Sequence, residues 1–192
     1  MNTRTIIAKA IQVVTFLFSA FSGFLGNIAP PEEAGAGFAV GFASILSLCV
    51  LLFVSYLAHI KLTAKRFRNI VLVAAAILIV VGIVSGLMYN ANLNALTVGL
   101  PPEAPEARHV VGTEFTDFGK AQRDKNPSAS LATFIYDNGG AEALNRLWKQ
   151  DSLNRAKQVL LVNYVILVLS IAGAVFFLAE GLLAAGAGKP RK

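Results

Sequence analysis

IVLVAAAILIVVGIVSGLMY, residues 70–89, is a run of twenty residues without a charge, and it decides the fold class of this chain. A helix rises about 1.5 Å per residue, so such a run matches the roughly 30 Å hydrocarbon core of a bilayer. Lipid offers no partner for unpaired backbone N–H and C=O groups, so an apolar run in a membrane has to be helical. The pattern predicts a transmembrane helix.

Three further segments are long and apolar enough to cross a membrane: residues of about 5–28, 37–59 and 159–184. None alternates apolar with polar residues, as the strands of a membrane barrel do. The first segment begins with basic residues, as signal peptides do, but its apolar part is long and lacks a clear cleavage site, so it is expected to be retained. The sequence therefore predicts an all-α membrane protein, a four-transmembrane-helix bundle.

The composition agrees with a membrane protein. Of 192 residues, 55% are hydrophobic and 15% are charged, and the mean hydropathy is +0.62. A soluble domain of this size carries more charge. The single cysteine excludes a disulfide-rich scaffold. The formal net charge of +6 would suggest nucleic-acid binding in a soluble protein, but the positions of the charges indicate another role.

The basic residues outside the longest connection cluster on flanks that share one side of a four-helix bundle: Arg4, Lys9, Lys61, Lys65, Arg66, Arg68, Lys189, Arg191 and Lys192. The connection between the first two segments carries Glu32 and Glu33 and no base, and residues 90–158 hold eight acids and eight bases. Short basic loops stay cytoplasmic. This pattern predicts cytoplasmic N- and C-termini, an extracytoplasmic segment 90–158, contact with membrane lipids and no nucleic-acid partner. The basic flanks favour a bacterial inner membrane.

The chain is expected to divide into residues 1–89 with helices 1–3, an extracytoplasmic cap at residues 90–158, and residues 159–192 with helix 4 and a basic cytoplasmic tail. A connection of this length is rarely an idle loop. Ser128 is predicted to cap a helix that runs to Asp137, where Asn138-Gly139-Gly140 ends it. Asp151 or Ser152 is predicted to cap a helix that continues into the fourth span. The cap is expected to be small and mostly helical, and too small to bury a core alone.

Four aromatic residues of this segment are candidates for packing the cap or contacting a partner: Phe115, Phe118, Phe134 and Trp148. No metal site, catalytic residue or cofactor is predicted. The two histidines, His59 and His109, fall on opposite faces of the membrane in the predicted topology, and no nucleotide-binding or nucleophile motif is present. The Phe-rich face of the first segment is expected to contact lipid, quinone, pigment or another subunit.

Polar residues within the spans are costly in lipid and mark candidate sites: Gln12, Asn27, Asn163 and Glu180. Each span also carries small residues four positions apart, which lets helices approach closely. These helix-packing candidates are Ser19 and Gly23, Gly37 and Gly41, Gly82 and Gly86, and Gly181 and Ala185.

Three functional hypotheses fit these observations. The first is a non-catalytic accessory or structural subunit of a larger membrane complex. The second is a homo-oligomeric pore or membrane-permeabilising protein lined by Gln12, Thr15, Ser19 and Ser22, a stripe that also fits a helix–helix seam. The third is a small transporter or membrane enzyme that uses Glu180 or Asn163.

The predicted topology has a direct test in sealed cells. A membrane-impermeant thiol label is expected to reach a cysteine introduced at Lys120 and to spare one introduced at Lys65. The reverse pattern would overturn the orientation and the cap together.

Overall fold

The computed structural model describes residues 29–31, 34–61, 64–100 and 108–186. These residues are mostly helical (79%). The first predicted span lies outside the described residues, together with Gln12, Ser19, Gly23 and Asn27. The basic tail after residue 186 lies outside them too.

The described elements are six α-helices, one 3-10 helix and two short strands. In chain order they are α1 (Ala36–Lys61), α2 (Ala64–Leu96), β1 (Thr97–Gly99), β2 (Arg108–Val110), α3 (Asp117–Lys125), α4 (Leu131–Asp137), the 3-10 helix (Gly140–Ala143), α5 (Leu144–Leu147) and α6 (Gln150–Gly186). The strands pair antiparallel, with Val98 opposite His109.

These elements form two compact units. The first, the membrane unit, consists of the described residues within Met1–Ala29, Phe38–Gly86 and Val165–Lys192. The second, the cap unit, consists of Pro30–Gly37 and Leu87–Tyr164. The cap unit therefore spans the whole predicted cap, residues 90–158, and includes the last turns of α2 and the first turns of α6.

Two helices among the described residues are long and apolar enough to cross a membrane. They are Asn69–Leu96, 28 residues in α2, and Gln150–Ala179, 30 residues in α6. Only 17% of the apolar window of α2 is buried within the protein, and its exposed side chains include Val73, Val80 and Ile83, each about 60% exposed. In water such a surface would be strongly unfavourable, whereas lipid solvates it. This exposure supports an integral membrane protein.

The second predicted span coincides with α1, a helix of 26 residues. Its described apolar part is Gly37–Cys49. A bundle of four transmembrane helices thus stays a prediction, since the first span lies outside the described residues and α1 contributes only this shorter apolar stretch.

The cap unit has a hydrophobic core of its own. Its centre is Trp148, which is 2% exposed, with Phe134 at 2% and Leu147 fully buried. The other buried members of this core are Leu100, Val111, Ile135, Ala143, Leu144 and Leu153. The cap was expected to be too small to bury a core alone, and one member of this core, Leu153, comes from the first turn of α6.

The helix at Leu131–Asp137 begins two residues later than predicted. Its N-cap is Ser130, whose hydroxyl accepts a hydrogen bond from the Thr133 N–H at 3.1 Å. Ser128 is not the cap, because Pro127 and Ser128 form a turn in which the Ala129 N–H donates to the carbonyl of Asn126. Proline at the second position of a turn favours that conformation.

The predicted end of this helix agrees with the structure. Asn138 is its C-cap, and Gly139 and Gly140 follow with φ of 114° and 68°. Such positive φ angles favour glycine.

The helix that enters the last span begins at Gln150, so neither Asp151 nor Ser152 caps it. Asp151 lies in the first turn, where a negative charge complements the helix dipole. Ser152 is buried, and its hydroxyl donates to the carbonyl of Lys149 at 3.0 Å and to that of Glu114 at 3.2 Å.

Gly119 is the position in the cap unit where a side chain is least tolerable. A Cβ atom at this position would overlap the carbonyl oxygen of Leu147, which is backbone and cannot move aside by a rotamer change. Gly119→Ala is therefore expected to lower the free energy of unfolding of the cap unit by about 3 kcal/mol.

Trp148 is the sole tryptophan of the chain, so denaturation followed by tryptophan fluorescence reports on this unit. Gly37→Ala is the matched control, since a Cβ there meets no described atom within 4 Å. Equal denaturation midpoints for the two variants would show that the close approach at Gly119 is unimportant.

Candidate functional site

The membrane unit contains a helix seam in which glycines of α2 face α6. A Cβ atom at Gly82 would lie 3.5 Å from the Ser170 Cβ, and one at Gly86 would lie 3.5 Å from Leu167 Cδ1. The predicted packing pair Gly82 and Gly86 therefore lies against α6. Both distances are ordinary van der Waals contacts, so alanine would fit at either position and a larger side chain would not.

Glycines of α6 face α2 in return, and here the fit is tighter. A Cβ atom at Gly173 would lie 2.8 Å from Leu78 Cδ1, and one at Gly181 would lie 2.9 Å from Leu72 Cδ2. Each leucine of α2 thus occupies the space that a side chain on α6 would need. Gly181 was a predicted packing residue, and Ala185 lies further along the same helix.

These contacts define the direction of the seam. Moving along α2 from Leu72 to Gly86, the contacted residues on α6 move backwards from Gly181 to Leu167. The two helices are therefore antiparallel. Association in lipid gains little from the hydrophobic effect and depends on close packing, and this seam provides close packing through glycine on both helices.

The small residues of α1 divide between two faces. Ala39 and Ala43 are fully buried and Ser47 is 1% exposed, so these three residues, four positions apart, form a buried stripe. The predicted packing residues Gly37 and Gly41 are exposed, and a Cβ at either meets no described atom within 4 Å.

The exposed face of α1 also carries aromatic side chains beside these glycines. The rings of Phe38 and Phe42 stack with their centroids 5.5 Å apart. Phe38 is 66% exposed and Phe42 is 45% exposed. Glycine and stacked phenylalanine together make an apolar surface that alternates a groove with a ridge. The face defined by Gly37, Phe38, Gly41, Phe42 and Ile45 is called the open face of α1 below.

In the cap unit, Thr116 ties α3 to the segment before α6. Its hydroxyl accepts from the Gly119 N–H at 3.0 Å as the N-cap of α3, and it donates to the carbonyl of Arg146. Its own N–H donates to the carbonyl of Leu147 at 2.9 Å. One residue thus closes the end of a helix and fixes the distance between two chain segments.

An ion pair lies next to this junction. The Lys149 ammonium donates to Glu114 Oε2 at 3.0 Å, and this hydrogen bond and charge lower the pKa of Glu114 and raise the pKa of Lys149. Both side chains are more than half exposed, so solvent screens the pair and its contribution to stability is small. The backbone hydrogen bond from Lys149 N–H to the Glu114 carbonyl, at 3.0 Å, holds the same register.

Three of the four predicted aromatic residues meet in the cap core. The ring centroids of Phe115 and Trp148 are 5.1 Å apart, and those of Phe134 and Trp148 are 6.2 Å apart. Phe118 is 39% exposed, and the Arg146 guanidinium lies over its ring at 4.9 Å. Trp148 and Phe134 are thus enclosed by their own unit, and of the four only Phe118 offers a substantial exposed surface.

The predicted intramembrane polar residues are not brought together among the described residues. Asn163 is partly buried on α6, next to the fully buried Tyr164, and Glu180 lies seventeen positions further along the same helix. A helix rises about 1.5 Å per residue, so the two are about 25 Å apart along the axis. Within the described residues no group of three or more His, Cys, Asp or Glu side chains is placed to hold a metal ion.

Sequence reasoning missed Gly173 and the stripe Ala39, Ala43 and Ser47. Gly173 lies between Ala172 and Ala174 and three residues after Ser170, so the local density of small residues was the available signal. On α1 the small-residue pairs overlap, and spacing alone does not show which pair faces the protein.

No family model, curated protein or solved structure matches this chain significantly.

The seam can be tested with a double-mutant cycle. Gly173→Val forces a side chain against Leu78 and is expected to destabilise the detergent-solubilised protein by about 2 kcal/mol. In the Leu78→Ala background the blocking methyl groups are gone, so the same substitution is expected to cost less. Thermal unfolding followed by circular dichroism measures both.

Ala76→Val is the control, because Ala76 lies on an exposed part of α2 and the added methyl groups would contact lipid or detergent. Strictly additive effects of Gly173→Val and Leu78→Ala would contradict the described contact, since independent sites add.

Proposed function

We propose that this chain is an integral membrane protein that acts as a non-catalytic structural subunit of a larger membrane complex. The observation that carries the proposal is the open face of α1. It presents two glycines, two stacked phenylalanines and Ile45, which is 66% exposed, at a spacing that suits another helix. The occupant we assign to it is a transmembrane helix of a partner subunit.

The glycine pairs of the chain differ in whether they have neighbours within the protein, and this difference supports the assignment. Gly82, Gly86, Gly173 and Gly181 already have neighbours within the chain. Gly37 and Gly41 have none within 4 Å among the described residues, although the same spacing permits the same close approach. A face with this geometry is suited to a contact between chains.

The cap unit supports a binding role rather than catalysis. Two of its polar side chains have structural roles: Thr116 caps a helix and Ser152 bonds one chain segment to another. Its largest aromatic residues fill its own core. We assign to this unit the task of fixing a partner, with Phe118 and Arg146 as the exposed contact.

The proposed orientation places the N- and C-termini in the cytoplasm and residues 90–158 outside it, in a bacterial inner membrane. The distribution of basic residues is the main support. A second support is that Pro30–Gly37 and Leu87–Tyr164 belong to one compact unit, which is expected if both connections emerge on the same side.

The experiment is site-specific photocrosslinking in native membranes. A photoreactive phenylalanine analogue at Phe42 is expected to form a discrete adduct with a second polypeptide, larger than the 20.4 kDa chain. Gly41→Leu, which fills the groove beside Phe42, is expected to abolish that adduct.

The matched control places the same analogue at Val80, which is 61% exposed on α2 and is expected to contact lipid only. An adduct between two copies of the chain would show that the partner is a second copy of the same protein. This result would contradict the proposal and favour the pore hypothesis. Absence of any protein adduct at Phe42, with a monomeric mass in mild detergent, would refute the proposal.

A further inference from the structure

The first turns of α6 carry an arginine at the end of an exposed apolar stripe. Val159 is 41% exposed and Val162 is 53% exposed, and Arg155 is exposed four positions before Val159. Residues three and four positions apart lie on the same face of a helix, so these three side chains form one stripe. The stripe changes from apolar to cationic towards the start of α6.

The last turns of α2 repeat this arrangement with an arginine from another element. Leu87 is 69% exposed, and Ala91 and Asn94 are exposed at the next positions of the same face. The Arg108 guanidinium, which belongs to β2, donates to Asn94 Oδ1 at 3.3 Å. This second stripe therefore also runs from apolar side chains to a cationic group.

The two stripes change character at the same level of the helix pair. The rings of Tyr89 on α2 and Tyr164 on α6 are in contact, with their centroids 5.9 Å apart. The helices are antiparallel, and Asn94 lies five residues after Tyr89. Val159 lies five residues before Tyr164, so it is level with Asn94. Arg155 lies four residues, or about 6 Å, beyond that level, a distance that its long side chain spans.

A bilayer suits a surface of this kind. Hydrocarbon chains solvate exposed apolar side chains, and the headgroups lie just outside the hydrocarbon. Long basic side chains near the ends of membrane helices extend to the headgroups while their methylene groups stay on apolar surface. The level of Asn94 and Val159 therefore corresponds to the boundary between hydrocarbon and headgroups.

Both arginines keep their charge available for a phosphate. Neither forms a salt bridge with another described residue. Glu114 interacts electrostatically with Arg155, but its carboxylate accepts a hydrogen bond from the Lys149 ammonium at 3.0 Å. The side-chain amide of Asn94 is neutral, so it holds Arg108 without cancelling its charge. Guanidinium groups bind phosphate through paired N–H donors.

We infer that Arg108 and Arg155 each bind the phosphate of an anionic phospholipid, with the acyl chains along the two apolar stripes. Anionic lipid is favoured over zwitterionic lipid, because each uncompensated cation near a membrane surface adds attraction to anionic lipid. The inference requires an integral membrane protein. It does not require the partner subunit proposed above, because the open face of α1 is not part of the lipid contact.

The test is native mass spectrometry of the protein released from detergent micelles that contain equal amounts of phosphatidylglycerol and phosphatidylcholine. The unaltered chain is expected to retain more phosphatidylglycerol. Arg108→Gln and Arg155→Gln are each expected to lower the ratio of bound phosphatidylglycerol to bound phosphatidylcholine about fivefold. Arg108→Lys and Arg155→Lys preserve the charge and are expected to preserve most of the ratio.

The matched control is Lys125→Gln, which removes the same charge from the exposed end of α3, outside both stripes. Its lipid ratio is expected to equal that of the unaltered chain. Trp148 fluorescence shows whether the cap unit of each variant is folded, so that a change in the ratio is not caused by unfolding.

Three results would overturn the inference. The first is an unchanged lipid ratio in folded Arg108→Gln and Arg155→Gln. The second is an equal loss of the ratio in Lys125→Gln, which would show that net charge alone attracts the lipid. The third is displacement of bound phosphatidylglycerol by an equal concentration of glycerol 3-phosphate, which would show that the arginines recognise a soluble phosphate and not a lipid.

Discussion

Close packing of α2 against α6 is the interaction on which the membrane unit depends. Lipid tails are as apolar as leucine side chains. Moving apolar surface from lipid into a contact between two helices therefore gains little free energy. What remains is van der Waals contact, which falls steeply with distance. Leu72 and Leu78 fill the spaces above Gly181 and Gly173, and most of the apolar window of α2 is exposed, with only 17% of it buried.

The cap unit, in contrast, is stabilised mainly by the hydrophobic effect. In water, burial of apolar surface is the main driving force, and Trp148 with Phe134 and Phe115 supplies much of that surface. Hydrogen bonds then select one arrangement. Glu114 and Thr116 meet Leu147 and Lys149 in a short antiparallel contact, so two segments more than thirty residues apart in the chain have a defined register.

Much of the helical content was predictable because its signals are local. The uncharged run at residues 70–89 and the Asn-Gly-Gly stop after Asp137 determine their structure through neighbours in sequence. The start of α4 at Ser130 was less predictable, because Pro127 creates a turn that competes with capping by Ser128. The start of α6 depends on a contact with Glu114, far away in the chain, which no local pattern reveals.

The type of residue that packs the helices together was predictable from the sequence, but not which small residues of each helix are buried. Spacing of small residues identified Gly82, Gly86 and Gly181, all of which lie at the seam. The same rule selected Gly37 and Gly41 on α1, whereas Ala39, Ala43 and Ser47 are the buried residues in the part of that helix whose burial is described. Residues four positions apart lie on the same face of a helix. The spacing does not show whether that face contacts protein, lipid or another chain.

The length of α2 has a consequence for the membranes that suit this protein. The helix Asn69–Leu96 has 28 residues, about 42 Å of helix, and its uncharged run 70–89 alone covers a typical hydrocarbon core of about 30 Å. The excess ends in the asparagines Asn90, Asn92 and Asn94, which tolerate the headgroup region. A bilayer thicker than this run would bring these asparagines into hydrocarbon, which is unfavourable, whereas in a thinner bilayer α2 would tilt.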